Sequence, residues 1–163
     1  MIRIATLFAA FAFACLHAQE PQEEIPKAAP LIPVEDPDIP DDGVRVSVLG
    51  YHDFSETQPE TAMRIRTSKF RKQMETLSQL GITVISMDDF AAWKRGEKEI
   101  PERCVLLTLD DGWKSVYTDA FPILRELGYP FTLYLYKNYV DGGGRALTTP
   151  MIGETASSSG CWE

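Results

Sequence analysis

Apolar and polar positions along this chain change period several times, and each change marks an element. Val44-Arg45-Val46-Ser47-Val48-Leu49-Gly50-Tyr51 alternates and then runs apolar, as a strand entering a core does. Phe70, Met74, Leu77 and Leu80 fall on one face of a helix that Thr67 or Ser68 can cap and Gly81 stops. Ile82 to Ser86 reads as a short β-branched strand, and Met87 to Arg95 as a short helix beginning near Asp88. Cys104-Val105-Leu106-Leu107-Thr108-Leu109 is a continuous apolar run after Arg103, the signature of a parallel strand covered on both faces. Ser115 to Leu127 reads as a helix with Val116, Ala120, Ile123, Leu124 and Leu127 on one face; Pro122 lies inside it, and Gly128 ends it. Phe131 to Tyr136 is the next strand, and Thr148 or Thr149 can cap a final short helix after the Asp141-Gly142-Gly143-Gly144 loop.

Strands alternating with helices predict an α/β fold, a parallel sheet with helices outside it. Both an open doubly wound sheet and a barrel satisfy that order. A full barrel takes about eight strands and 250 residues. Four predicted strands in a chain of 163 residues therefore make a small α/β domain or part of a larger barrel.

The front of the chain has a different character. Arg3 followed by the apolar, small-residue run Ile4 to Cys15 reads as an export signal, too short to span a bilayer, with cleavage after Ala18 or Ala14. The other reading is a buried N-terminal helix. Residues 20–42 hold eight acids against one lysine, −7 of the formal −8, and six of the eleven prolines. Such a stretch buries too little apolar surface to offset its ordering entropy and reads as an extended linker over residues 19–42. The remainder, from residue 43 on, is near neutral with no basic stripe, which argues against nucleic acid as a partner. A membrane enters only if Cys15 carries a lipid anchor. Cys104 opens the apolar run and reads as a buried free thiol; a disulfide with Cys161 is the alternative in an oxidising compartment.

The sharpest chemical feature is Asp110-Asp111-Gly112 at the end of the buried strand. In α/β folds ligands bind at that edge. Side chains alternate along a strand, so adjacent carboxylates can hold different jobs, one facing a metal and one acting as a base. Asp-Asp-Gly is also a common turn sequence, and the bland reading is a turn. Val48-Leu49-Gly50-Tyr51-His52-Asp53-Phe54 ends another strand and should open onto the same face. His52 reads either as a ligand or as a hydrogen-bonded structural histidine.

Taken in order, Thr108-Leu109-Asp110-Asp111-Gly112, Tyr51-His52-Asp53-Phe54, Ala120-Phe121-Pro122-Ile123-Leu124 and Tyr129-Pro130-Phe131-Thr132 resemble the polysaccharide deacetylases, the NodB-like carbohydrate esterases of family 4, over about Val44 to Glu154. Leu109 stands where that family usually has Phe. The resemblance implies the N-terminal part of a distorted (β/α) barrel in an exported protein that removes N- or O-acetyl groups from an acetylated polysaccharide. It implies Asp110 as general base and Asp111 as carboxylate ligand of a divalent metal such as zinc. It also implies a later His-x-x-x-His pair. The chain holds only His17 and His52, and residues 155–163 read as a patternless, aberrant tail. A catalytic zinc ion usually takes three protein ligands, so the expectation is a fragment that stops before its metal site is complete and is inactive alone. The alternative is a non-catalytic secreted module binding glycan through Trp113, Tyr134 and Tyr136, although aromatics at such positions are more often core.

Overall fold

The computed structural model of the protein describes residues 43–159. The expected export signal and acidic linker, and Cys15 and Cys161 with them, lie outside the described residues. Six strands and four α-helices follow in order: β1 (Arg45–Tyr51), β2 (Asp53–Phe54), β3 (Arg64–Ile65), α1 (Thr67–Gln79), β4 (Thr83–Ile85), α2 (Met87–Lys94), β5 (Arg103–Asp111), α3 (Phe121–Leu127), β6 (Thr132–Leu135) and α4 (Thr149–Ser159).

β5 organises the molecule. β1 runs parallel to it along Arg103–Leu109 on one edge. β4 along Cys104–Leu106 and β6 along Thr108–Asp111, both parallel, divide the other edge. Cys104 through Leu109 are all buried, which accounts for the unbroken apolar run. The pleat sorts them onto two faces. Val105, Leu107 and Leu109 join the main core with Phe70, Met74, Phe121 and Leu124, whereas Cys104 and Leu106 pack with Ile85 under Met87 and Phe90. This is the α/β parallel-sheet architecture that the alternating pattern predicts.

The free thiol of Cys104 is buried, and burial pushes its pKa up. Cys104 is therefore expected to resist alkylation in the native chain and to react after urea is added; peptide mapping by mass spectrometry reads this site apart from the other cysteines. Rapid labelling of Cys104 under native conditions would contradict its placement.

Three local features depart from expectation. First, neither Thr67 nor Ser68 caps α1; its N-cap is Arg66, without a side-chain bond. The orphan donors go instead to loop acids. Ser68 donates its N–H (2.9 Å) and its hydroxyl (3.0 Å) to Glu56, and the Arg66 N–H reaches Glu60 at 3.3 Å. These donors hold both carboxyls below their usual range, Glu56 through the Ser68 N–H above all. Thr67 is left to donate to Asp119 at 2.8 Å. Second, the helix expected over Ser115–Leu127 is divided. Val116–Ala120 forms a π-helical turn, closed by the Phe121 N–H on the Val116 carbonyl, before α3 begins. Pro122 has no N–H and its ring crowds the carbonyl four residues back, and a widened turn relieves both. Third, residues 155–163 do not behave as a patternless tail throughout. α4 continues to Ser159, and Thr155 is buried with its hydroxyl on the Met151 carbonyl at 2.6 Å. Among the described residues no helix is long and apolar enough to cross a membrane.

Candidate active site

The parallel registers bring three strand ends to one edge. Tyr51 of β1 stands beside Leu109, so His52 follows beside Asp110; Asp110 and Asp111 stand beside Tyr134 and Leu135 of β6. His52 Nε2 lies 3.8 Å from Asp110 Oδ2, too long for a hydrogen bond but close enough for the two groups to feel one another. The other oxygen, Oδ1, is buried and has no hydrogen-bond partner. An unmet buried acceptor costs about 1–3 kcal/mol, so a carboxylate held this way marks a place where something other than stability has shaped the structure. Gly50 helps to keep that place open. A Cβ there would lie 3.4 Å from Thr108 Oγ1 and 3.7 Å from Asp110 Oδ2. A methyl would just touch both, and anything longer would run into the carboxylate.

Immediately after Asp110 the backbone leaves the strand through two left-handed residues, Asp111 at φ 70° and Gly112 at φ 81°. Aspartate is among the few L-residues that enter this region routinely. Its carboxylate is steadied by the Trp113 indole N–H, 3.3 Å from Oδ2. At Gly112 a Cβ would also meet Leu135 Cδ2 at 3.2 Å. Gly112→Ala is expected to cost about 1–2 kcal/mol in urea denaturation from the left-handed backbone alone; an unchanged or raised stability would show that the turn is not formed as described.

The loop that follows β6 closes over this turn. The Leu147 N–H donates to the Gly112 carbonyl at 2.8 Å, and the Lys114 N–H to the Arg145 carbonyl at 2.8 Å. Behind the turn lies Asp53, buried at the start of β2. It accepts from Arg64 Nε at 2.7 Å and from the Ser115 hydroxyl at 2.7 Å, while the Phe54 N–H donates to Ser115 Oγ at 3.0 Å. In the sequence Asp53 stands out only as part of the Tyr51-His52-Asp53-Phe54 motif. Its role is visible only once these partners converge, and no local pattern signals it. Of the aromatics, Trp113 is half-buried against Tyr139, whereas Tyr134 and Tyr136 are exposed rather than core.

His52, Asp110 and Asp111 thus share an edge, but no group of three His, Cys, Asp or Glu side chains among the described residues converges closely enough to hold a metal ion. The donors among the described residues do not by themselves complete a metal site.

Residues 97–161 match the polysaccharide deacetylase family model, which takes in β5, both aspartates and α4. Over 96 residues the chain is 33% identical to the poly-beta-1,6-N-acetyl-D-glucosamine N-deacetylase of Escherichia coli K12, covering 59% of this chain and 14% of that protein. IcaB from Ammonifex degensii superposes with a TM-score of 0.64 at 28% identity, over 72% of this chain and 50% of that one. The likeness of this stretch is to the polysaccharide deacetylase family. The deacetylase domain of BpsB from Bordetella bronchiseptica agrees, with a TM-score of 0.59 at 28% identity over 77% of this chain and 55% of that one. The deacetylase segment here is thus the N-terminal part of the family's (β/α) barrel, and it spans about half of these solved chains and less of the curated relatives.

Proposed function

We propose that this chain carries the strand-end half of an active site that hydrolyses N-acetyl groups on a β-linked N-acetylglucosamine polymer outside the cytoplasm. The observation that carries the reading is the buried, unpartnered Oδ1 of Asp110 at the C-terminal edge of the central strand. A general base needs a carboxylate that no protein donor occupies and that water can reach; Asp110 Oδ1 is unbonded and the side chain is 29% exposed, whereas a structural turn aspartate would have its oxygens occupied by backbone N–H groups. Asp110 would accept a proton from the water that attacks the acetyl carbonyl; the C–N bond then breaks as that proton passes to the sugar nitrogen, leaving acetate and a free amine on the sugar. Asp111, left-handed and steadied by Trp113, would give one carboxylate to a divalent metal, with zinc as the candidate, whose remaining ligands the described residues do not supply. Such a metal, when bound, polarises the carbonyl and acidifies water. The polymer is inferred from relatives: the proteins of Escherichia coli and Staphylococcus epidermidis that match this chain are both named for poly-beta-1,6-N-acetyl-D-glucosamine.

The test is a hybrid in which residues 44–159 replace the matching stretch of a poly-N-acetylglucosamine deacetylase, assayed with a β-1,6-linked N-acetylglucosamine oligomer. Acetate release by the hybrid, with none from the 163-residue polypeptide alone, is the expected result. Release of reducing sugar without acetate would overturn the reaction class. Stoichiometric zinc and acetate release with the short polypeptide would overturn the incomplete-site reading. The exposed Tyr134 and Tyr136 favour one other reading, a glycan-binding module; metal-independent oligomer binding with no acetate release from the hybrid would select it.

A further inference from the structure

A cavity opens beside Trp113. It encloses about 180 Å³, and its charged lining is Asp53, Arg64, Lys114 and Arg145. One carboxylate thus faces three cations in a domain that is otherwise near neutral. The three cations are not equally satisfied. Arg64 is committed to Asp53 through its 2.7 Å bond and is largely buried. Arg145 approaches the same carboxylate only at 3.5 Å through Nη2, and its side chain is 63% exposed. Its guanidinium lies over the Trp113 ring, 4.8 Å from the centroid. Lys114 pairs with no carboxylate among the described residues.

Stability alone does not explain this arrangement. Lys114 and Arg145 line a cavity beside a carboxylate already bonded to Arg64 and Ser115, and the carboxylate contact left to Arg145 is its 3.5 Å approach to Asp53. Trp113 stacking and the loose Asp53 contact hold Arg145 in one orientation while leaving most of its five N–H donors unused. That is the preparation a planar anion requires, since a guanidinium held in place loses less entropy on binding a carboxylate than a free one. Gln58 on the rim adds an uncharged donor and acceptor for hydroxyls.

We infer that this cavity is a subsite for a carboxylate-bearing sugar residue, a uronic-acid type, bound through Arg145 and Lys114. The sugar half of this ligand rests on the deacetylase reading and would be an acidic residue beside the N-acetylglucosamine proposed above, whereas the anion half rests on the cavity itself.

The test uses the full 163-residue chain and simple probes, D-glucuronate against D-glucose and acetate, followed by ligand-observed NMR titration. Glucuronate is expected to bind at least about 10-fold more tightly than glucose, the scale of a charge-assisted pair. Arg145→Gln and Lys114→Gln, both on exposed or half-buried side chains, are expected each to remove about 5- to 10-fold of that preference with circular dichroism unchanged. Raising salt from about 0.05 to 0.5 M should weaken glucuronate and leave glucose unmoved. Equal binding of glucose and glucuronate, or insensitivity to both substitutions, would overturn the anion site. Acetate binding as tightly as glucuronate would overturn the sugar part. None of these readings depends on acetate release by the hybrid, so failure here and failure of the deacetylase proposal are separable.

Discussion

In the acetate-releasing hybrid, Asp110→Asn is expected to lower the rate about 10²–10⁴-fold, the usual contribution of a positioned general base. The substitution is nearly isosteric, and Oδ1 has no protein partner to lose. Stability should therefore hold steady or rise slightly, since a neutral amide is cheaper to bury than a carboxylate. That combination separates chemistry from structure. A turn-forming aspartate would lose stability and leave activity to fall only in proportion to the unfolded fraction. A base would lose rate with the midpoint of urea denaturation unmoved. A rate within about threefold of the parent hybrid, well below the general-base range, would remove Asp110 from the mechanism, and attention would pass to His52, the other proton carrier at this edge. Asp111→Asn offers a contrast. Its side chain is engaged by Trp113, and its backbone is left-handed, a conformation asparagine also tolerates. Loss of rate there with the turn preserved would argue for a charge requirement at that carboxylate.

What the sequence reveals of this molecule follows the range over which its interactions act. β5 is legible because burial on both faces leaves six consecutive residues, Cys104 to Leu109, with no solvent-facing position to fill with a polar side chain. The candidate site is legible for the same reason: a buried parallel strand must end somewhere, and Asp110-Asp111-Gly112 marks the end where such folds place ligands. β2 and β3 are not legible, because a two-residue strand has no period to read. The cap of α1 misleads because threonine and serine stand where a local cap belongs, while the acceptor comes from Glu56 in a preceding loop. The π turn is invisible to a 3.6-residue pattern, since one extra residue in one turn leaves Val116, Ala120 and Leu124 still facing inward. The unpaired oxygen of Asp110 and the left-handed backbone of Asp111 depend on packing by β1, β6 and the closing loop together, and no window of sequence contains all three.

Asp53 is the extreme case, and its removal should be the most damaging single change to the fold described here. Asp53→Ala is expected to destabilise the domain by about 3–5 kcal/mol, the range for deleting one partner of a buried ion pair. The residue is 6% exposed, and the Arg64 side chain it neutralises is 17% exposed, so the stranded guanidinium has little water to turn to. The same substitution releases the Ser115 hydroxyl, which ties β2 to the start of the π turn. Against a total stability of about 5–15 kcal/mol for a domain of this size, the loss is large enough to leave much of the chain unfolded at 37 °C. Urea denaturation of the 163-residue chain measures it directly, provided the slope is unchanged. Asp53→Asn keeps two acceptor sites on one oxygen but no charge, and should lie between the two. A loss below about 1 kcal/mol for Asp53→Ala would place the pair with ordinary surface salt bridges, and Arg64 would then be reaching water through the cavity it lines. The position also bears on the site. Asp53 and Ser115 brace the turn that carries Asp110 and Asp111 out of the sheet, so partial unfolding there should loosen the two aspartates before it loosens β5. Hydrogen exchange on Asp53→Asn is expected to rise first at Gly112 to Ser115 and last at Leu106 to Leu109.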